Sequence, residues 1–399
     1  MISFSLVAPY VGVPHAGGEF YRRHLGVLEE LGHDVTVIVP STELNRRAAA
    51  RPGAPGALIL VEAGRRMPMA DAVWALLRPD AVAPSMRRAF HDDADVREAR
   101  AQADVIEVHW AEMAFTLERR PRAAGSFLIA HDIPLQREWR WLVAAWQRRV
   151  LRKLIWRAWR TTVVAVTQVP ALRAADVTLV LSSKDAVLAT RMTRAPSITV
   201  IDPPLWSGDE ARGQGEDEEI ALFVAAFGRR ENVEAAVWLL ERIWPIVCSE
   251  QPDARLILAG DDPPSRLVDL AERTPGVTVT GYVESLEALY EQSRVALVPL
   301  QSGAGVKFKT IEALVRGKRI VSTSIGAEGI TDDSGAHPFV VVDDALAFAR
   351  ETAAALRVAG QADPTVTEWA RVRYGRAGYA AAVQAVLSGS IASHSQIGS

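Results

Sequence analysis

Short apolar runs rich in β-branched residues alternate with stretches of helical periodicity along almost the whole of this chain. That alternation predicts parallel βαβ units, because a parallel strand is buried on both faces and needs a crossover helix to reach its neighbour. In the first half, strands are expected near residues 3–7, 35–39, 58–61, 105–108, 127–130, 177–181 and 198–200. The stretch 206–219, WSGDEARGQGEDEE, is polar, acidic and glycine-containing, as a linker or exposed connection is. A second set follows near 221–225, 256–258, 277–280, 295–298, 320–323 and 339–342. Two doubly wound sheets in series are the expectation, and 399 residues suit two domains of roughly 150–200 each.

Composition bounds the rest. An apolar share of 49% and a charged share of 23% are those of a globular soluble protein. One cysteine, Cys248, excludes a disulfide framework. Residues 1–13 lack the basic region of a signal peptide, and no run approaches the ~18–20 apolar residues of a spanning helix. A cytoplasmic protein is expected, at most at the inner face of a membrane. The net charge of −3 hides an asymmetry: residues 1–200 hold 27 Lys/Arg against 20 Asp/Glu, and residues 201–399 hold 18 against 28. A basic first half suits an anionic partner, and a solvated arginine-rich surface explains it equally well.

The most informative segment is 299–329, PLQSGAGVKFKTIEALVRGKRIVSTSIGAEG. An apolar strand run precedes it. A loop with Gly303 and Gly305 follows, then a helical run from Val306 to Val315 that Gly317 terminates. Glycines let a ligand's phosphates approach the backbone, and the first amides of a helix favour an anion there. Glu312 is a carboxylate about a turn further in, placed for the hydroxyls of a ribose. Together these features imply a nucleotide or nucleotide-sugar. Arg229, Arg230 and Lys307 are the candidates for neutralising its diphosphate; adjacent arginines scarcely both face one site, which favours Arg229 with Lys307.

This segment resembles the donor-binding core of GT-B glycosyltransferases, in particular glycosyltransferase family 4, many of whose members read G-x-G-V-K-x-K-x-x-E-A-L-x-x-G here. Residues 223–240, 254–264 and 277–283 resemble successive elements of the same domain, and residues 16–40 resemble the family's N-terminal glycine loop, helix and GH-x-V-x-V strand. The resemblance implies an α/β protein of the GT-B fold, with two doubly wound Rossmann-like domains facing a central cleft. On that reading residues 1–203 form an acceptor-binding domain, 204–219 a linker and 220–364 a nucleotide-sugar-binding domain. Residues 365–387 form a helix crossing back to the first domain, and 388–399 are expected to be disordered.

The resemblance also implies the activity and most of the site. It points to a retaining hexosyltransferase that moves a sugar from a nucleotide-diphosphate sugar to an acceptor hydroxyl. Neither metal nor other cofactor is expected, because no zinc-ligand spacing or acidic metal pair stands out. Donor contacts fall on Gly17, Gly18, Arg229, Gly303, Ala304, Gly305, Val306, Lys307, Glu312 and Glu328. His131 would lie near the transferred sugar with Asp132 orienting it, although a His-Asp pair at a strand end can equally be a satisfied loop histidine. His131, Asp132 and Lys307 are the catalytic candidates, and His109 and Glu112 the acceptor candidates.

Two departures from the family pattern stand out. Where many members carry the first of two glutamates, this chain has Ala304, so backbone amides from Ala304 to Lys307 would have to reach the sugar. The usual glycine of the second domain's first loop is replaced by Ala225, with Gly228 three positions on. Ala304 keeps open a non-catalytic relative that binds nucleotide-sugar or scaffolds partner enzymes; a nucleotide-sugar epimerase is the third reading. Acceptors in view are a glycan, a lipid-linked glycan or a small molecule, and no nucleic acid. Residues 137–160 carry eight Arg/Lys, one Glu and five Trp. They read as a peripheral membrane contact or as an ordinary amphipathic surface helix.

Overall fold

The computed structural model describes residues 1–10, 16–62, 82–119, 124–147, 151–193, 197–206, 219–360 and 362–395, with 69, 71, 74, 121, 149 and 208 as single residues. They fall into two compact units, Met1–Asp202 with the chain from Tyr379 onward, and Pro203–Gly378.

Unit 1 is built on strands β1 (Ile2–Phe4), β2 (Thr36–Pro40), β3 (Leu58–Val61), β4 (Val105–His109), β5 (Gly125–Ala130), β6 (Val177–Val180) and β7 (Ile198–Val200). They form one parallel sheet in the order β3-β2-β1-β4-β5-β6-β7. The order reverses between β1 and β4, the switch point outside which open α/β sheets bind ligands. Strands β4 and β5 are buried along their whole length, as central parallel strands with helices on both faces must be.

Unit 2 repeats the plan with β8 (Ile220–Val224), β9 (Arg255–Ala259), β10 (Val277–Gly281), β11 (Val295–Val298), β12 (Arg319–Ser322) and β13 (Val340–Val341). Their order is β10-β9-β8-β11-β12-β13, again parallel, with the switch between β8 and β11. A core containing Phe223, Leu239, Trp244, Leu256, Val295, Ile311 and Phe348 fills the space between this sheet and its helices. Every strand that the alternation predicts is present, with ends shifted by at most three residues, the largest shift at β1, which stops at Phe4.

Three local expectations change. Gly17 and Gly18 stand inside the first turn of helix Ala16–Glu30, without positive φ, rather than in a turn before it. At the start of the expected linker, Leu205 is buried and Trp206 pairs with Gly375, its N–H donating to the Tyr374 carbonyl at 3.0 Å. Residues 207 and 209–218 of that linker, with all but one of its acidic side chains, lie outside the described residues. The C-terminal helical stretch is two helices, Pro364–Arg373 and Arg376–Ser395, broken where Trp206 pairs with the backbone. The second helix runs on through positions expected to be disordered, because alanine-rich sequence without proline carries a helix past Gly389 for a cost of about 1 kcal/mol.

Candidate active site

In unit 2 the loop after β11 turns through Gly303 at φ 138° and Gly305 at φ 71°, backbone that side chains avoid, which makes glycine the residue of choice at both positions. Lys307 stands at the N-cap of helix Phe308–Val315 in extended conformation and makes no side-chain cap bond. Its ammonium instead folds over the loop, donating to the Ala304 carbonyl at 3.1 Å and to that of Gly305, and lies 3.8 Å from the Glu328 carboxylate. Glu328 is buried in the turn after β12. That turn is fixed to the helix by Thr310, whose hydroxyl donates to the Gly326 carbonyl at 2.9 Å. A methyl group at Gly326 would sit 2.6 Å from the Val298 carbonyl, so only glycine lets the turn approach the sheet this closely.

The second basic element comes from the end of β8. Arg229 is the N-cap residue of helix Arg230–Trp238 and pairs with Glu231 at 2.9 Å, while Arg230 points to solvent and pairs with Glu234. Asn232 holds the loop, donating to the Ala226 carbonyl at 2.7 Å and accepting from the Lys309 ammonium at 3.1 Å. Lys309 is the member that motif reading left without a role. Its ammonium lies 4.9 Å above the Phe223 ring. Burial of the ammonium first, then the neighbouring charges of Arg229 and Lys307, lower its pKa to about 7 against Glu231 and Glu312, which pull the other way. Lys309 is therefore a cation held short of partners for its charge, and an arriving anion would complete its environment. Glu312, one turn along the helix, is half-buried. It acts electrostatically on Lys309 and on Arg316, and Arg316 donates to the Glu312 carbonyl at 3.0 Å and pairs with Glu287.

In unit 1 the strand-end residues form a connected polar cluster. Glu107 and His109 are two residues apart on β4 and so share one face of the strand. The Glu107 carboxylate meets His24 Nε2 at 2.7 Å and also contacts His109 Nε2. His24 Nδ1 lies 2.7 Å from the Tyr379 hydroxyl, and His109 Nδ1 lies 3.0 Å from His131 Nε2. Burial alone would push the Glu107 carboxyl up, but His24 and His109 beside it overcome that and hold it well below the usual carboxylate range. Burial lowers the His109 pKa, against the pull of Glu107. His131 stacks on Trp110, ring centroids 4.1 Å apart and planes 3° from parallel, and meets the Phe20 ring edge-on at 5.1 Å. Trp110 adopts φ 68°, a conformation of order 1 kcal/mol or more uphill for a non-glycine residue that the stacked surroundings must sustain.

His24, Glu107 and His109 also offer ligand atoms within 4.8 Å of one another, the signature of a metal group. Their contacts to one Glu107 oxygen are closer than the roughly 3.3 Å between atoms that share an ion at ~2.0–2.1 Å. His109 bridges Glu107 and His131 by hydrogen bonds, and His24 packs against the same carboxylate. His109 is fully buried and supports His131 rather than offering a surface of its own to an acceptor. Asp132 lies 3.9 Å from Arg137. Glu112 lines a cavity of about 330 Å3 with Arg87, Phe115, Glu118 and Gln168. Glu107, His24 and Tyr379 escaped motif reading. The acidic residue and histidine alternating in the otherwise apolar β4 were a readable signal, whereas Tyr379 lies 355 residues from His24 and gave none.

With this geometry in hand, comparison with known proteins gives the class. Residues 218–357 match the family model described as Glycosyl transferases group 1. The structure of sucrose-phosphate synthase from Thermosynechococcus elongatus matches with a TM-score of 0.67 at 17% identity, over 98% of this chain and 99% of that one. HepE from Anabaena, solved in complex with UDP and glucose, matches with a TM-score of 0.64 at 12% identity, over 97% and 99%. An uncharacterized 44.6 kDa protein in the cps region of Klebsiella pneumoniae is 29% identical over 136 residues; the match spans 32% of this chain and about a third (35%) of that relative. The fold is the GT-B glycosyltransferase fold. The match to the group 1 glycosyl transferase model lies within the second unit.

Proposed function

We propose that this protein is a retaining, metal-independent hexosyltransferase whose second unit holds a nucleotide-diphosphate sugar. The observation that carries the reading is the gathering of Arg229, Lys307 and Lys309 with Glu312 behind the Gly303–Gly305 loop, inside the segment that matches the family model. Glu312 binds the ribose hydroxyls. Arg229 and Lys307, joined by Lys309, bind the diphosphate and stabilise the charge it gains as the glycosidic bond breaks. Amides of Ala304, Gly305, Val306 and Lys307 reach the sugar where the chain lacks a carboxylate at 304, and Glu328 accepts from a sugar hydroxyl. In unit 1, Gly17 and Gly18 keep the start of their helix open to the donor phosphates. His131 hydrogen-bonds the transferred sugar with Asp132 beside it, and the departing phosphate takes the acceptor's proton.

The acceptor is a glycan, a lipid-linked glycan or a small molecule. The relative from a cps region favours a role in polysaccharide or glycoconjugate biosynthesis. No described helix is long and apolar enough to cross a membrane. Helices Pro134–Gln147 and Leu151–Ala171 nevertheless expose Trp139, Val143 and Trp146 at helical spacing, with Leu151, Ile155 and Trp156, among basic residues. This surface suits peripheral contact with an anionic bilayer. The protein should sediment with phosphatidylglycerol vesicles and not with phosphatidylcholine vesicles; equal sedimentation with both, or with neither, contradicts that contact.

The reading is tested by a thermal-shift screen over UDP-, GDP-, ADP- and TDP-sugars, followed by incubation with the labelled donor that shifts most. HepE makes UDP-sugars the first choice. Stabilisation by one nucleotide class, with release of labelled sugar to water or to an acceptor, is the expected result. Stabilisation with no turnover across donors and acceptors favours the non-catalytic reading that Ala304 motivates, and an isomerised donor favours the epimerase.

A further inference from the structure

We infer that the buried Glu107–His109 pair is a positioning device that holds His131 in a single tautomer, with its proton on Nε2 and its acceptor lone pair on Nδ1. The inference rests on the transfer reading for its consequence, though not for its geometry. Glu107 is the fixed point. Its carboxylate is enclosed by protein and faces Nε2 of both His24 and His109. An ionised carboxylate only accepts, so His109 Nε2, which bonds it, carries a proton. A neutral imidazole with its proton on Nε2 must accept at Nδ1. His109, whose burial disfavours the charged form, therefore accepts at Nδ1 from His131 Nε2 at 3.0 Å. Along this arm the chain of donors runs from His131 through His109 inward to Glu107.

The two arms differ in stiffness. A tyrosine hydroxyl can donate or accept, so the His24 arm tolerates reversal. The His109 arm ends on a ring fixed by other contacts: Trp110 lies flat against His131 and Phe20 meets its edge. Reversing that arm would require His131 to move its proton to Nδ1. The position of the proton on His131 is thus set two residues away, by the logic with which a buried acid fixes the tautomer of a catalytic imidazole. Neither His109 nor Glu107 reaches the surface.

Two measurements decide. Nitrogen-15 NMR of the histidine-labelled wild-type protein should show His131 protonated at Nε2; protonation at Nδ1 overturns the inference without any variant. His109→Phe keeps a ring against Tyr21, Phe20 and Trp110 but removes the acceptor. Hydrolysis of the best donor should then fall by about 100-fold with its KM unchanged, because a misaligned contact at the reacting centre costs turnover rather than donor affinity. Unchanged turnover in His109→Phe overturns the inference, as does one equivalent of tightly held metal in the purified protein. If the wild-type protein neither binds nor hydrolyses any donor, the transfer reading fails, while the NMR result still decides the tautomer.

Discussion

Replacing Lys309 by Met should weaken binding of a nucleoside diphosphate by about 10- to 100-fold at neutral pH, the range for losing one hydrogen bond to a charged group (about 1.5–3 kcal/mol). The effect is large because the ammonium is enclosed beside Phe223 and Asn232 with Arg229 and Lys307 near it, so it already bears the cost of desolvation and like-charge repulsion. A diphosphate supplies the missing counter-charge. Methionine keeps the length of the side chain and its contact with the ring, which confines the loss to the charge. Free protein and complex should also differ in protonation. With a pKa of about 7 in the free protein, Lys309 sheds its proton above pH 7, and a bound diphosphate draws it back.

The sign follows by linkage. Binding should take up a proton above pH 7, and affinity should fall as pH rises beyond that value. Folding stability moves the other way. The unfolded lysine, at 10.5, holds more protons than the folded one, so stability rises from pH 7 to 10.5 and the cost of burying the charge is borne in full below pH 7. Calorimetry in buffers of different ionisation enthalpy reads the proton uptake directly. Lys309→Met should abolish this component; wild-type affinity and wild-type proton uptake in the variant would remove Lys309 from the site.

The second large effect is expected at His131. His131→Ala should lower sugar release or transfer by about 100-fold or more, while nucleotide affinity stays within about two-fold, because the residue is assigned to the sugar in unit 1 and the nucleotide to unit 2. Losing its ring also removes the face on which Trp110 stacks, so Trp110 at φ 68° should relax. His131→Asn, which keeps an acceptor and some packing, should recover part of the rate. An alanine variant with wild-type turnover would make His131 a satisfied loop histidine and nothing more.

How much of this was legible in the sequence depends on the length scale of the signal. Apolar runs alternating with helical stretches mark both sheets: β11, buried on both faces, falls where the alternation sets it to the residue, and so do the less buried edge strands β3 and β7. The glycine loop and the helix behind it were equally readable, since Gly303 and Gly305 adopt backbone that other residues avoid. What failed to show was what only three dimensions bring together. Lys309 looked like one more helical lysine until Asn232, 77 positions earlier, proved to hold its ammonium. His109 looked like an exposed strand-end residue, and its burial against Glu107 depends on a helix that comes from near the N-terminus and on Tyr379 from the far end of the chain. Helix ends drifted for a similar reason. Propensity carries Arg376–Ser395 past Gly389, while the break before Arg376 reflects pairing with distant Trp206.

The central claim is that the Gly303–Glu312 region of unit 2 holds a nucleotide-diphosphate sugar. Its most direct test compares thermal shifts of wild-type protein and Glu312→Ala across UDP-, GDP-, ADP- and TDP-sugars. Wild-type protein should gain a saturable upward shift with one nucleotide class, about 2.7 kcal/mol of stabilisation at a hundred-fold excess over Kd. The variant should lose most of that shift while unfolding near the wild-type temperature without ligand. An equal shift in both proteins, or none in wild type with any donor, would contradict the account.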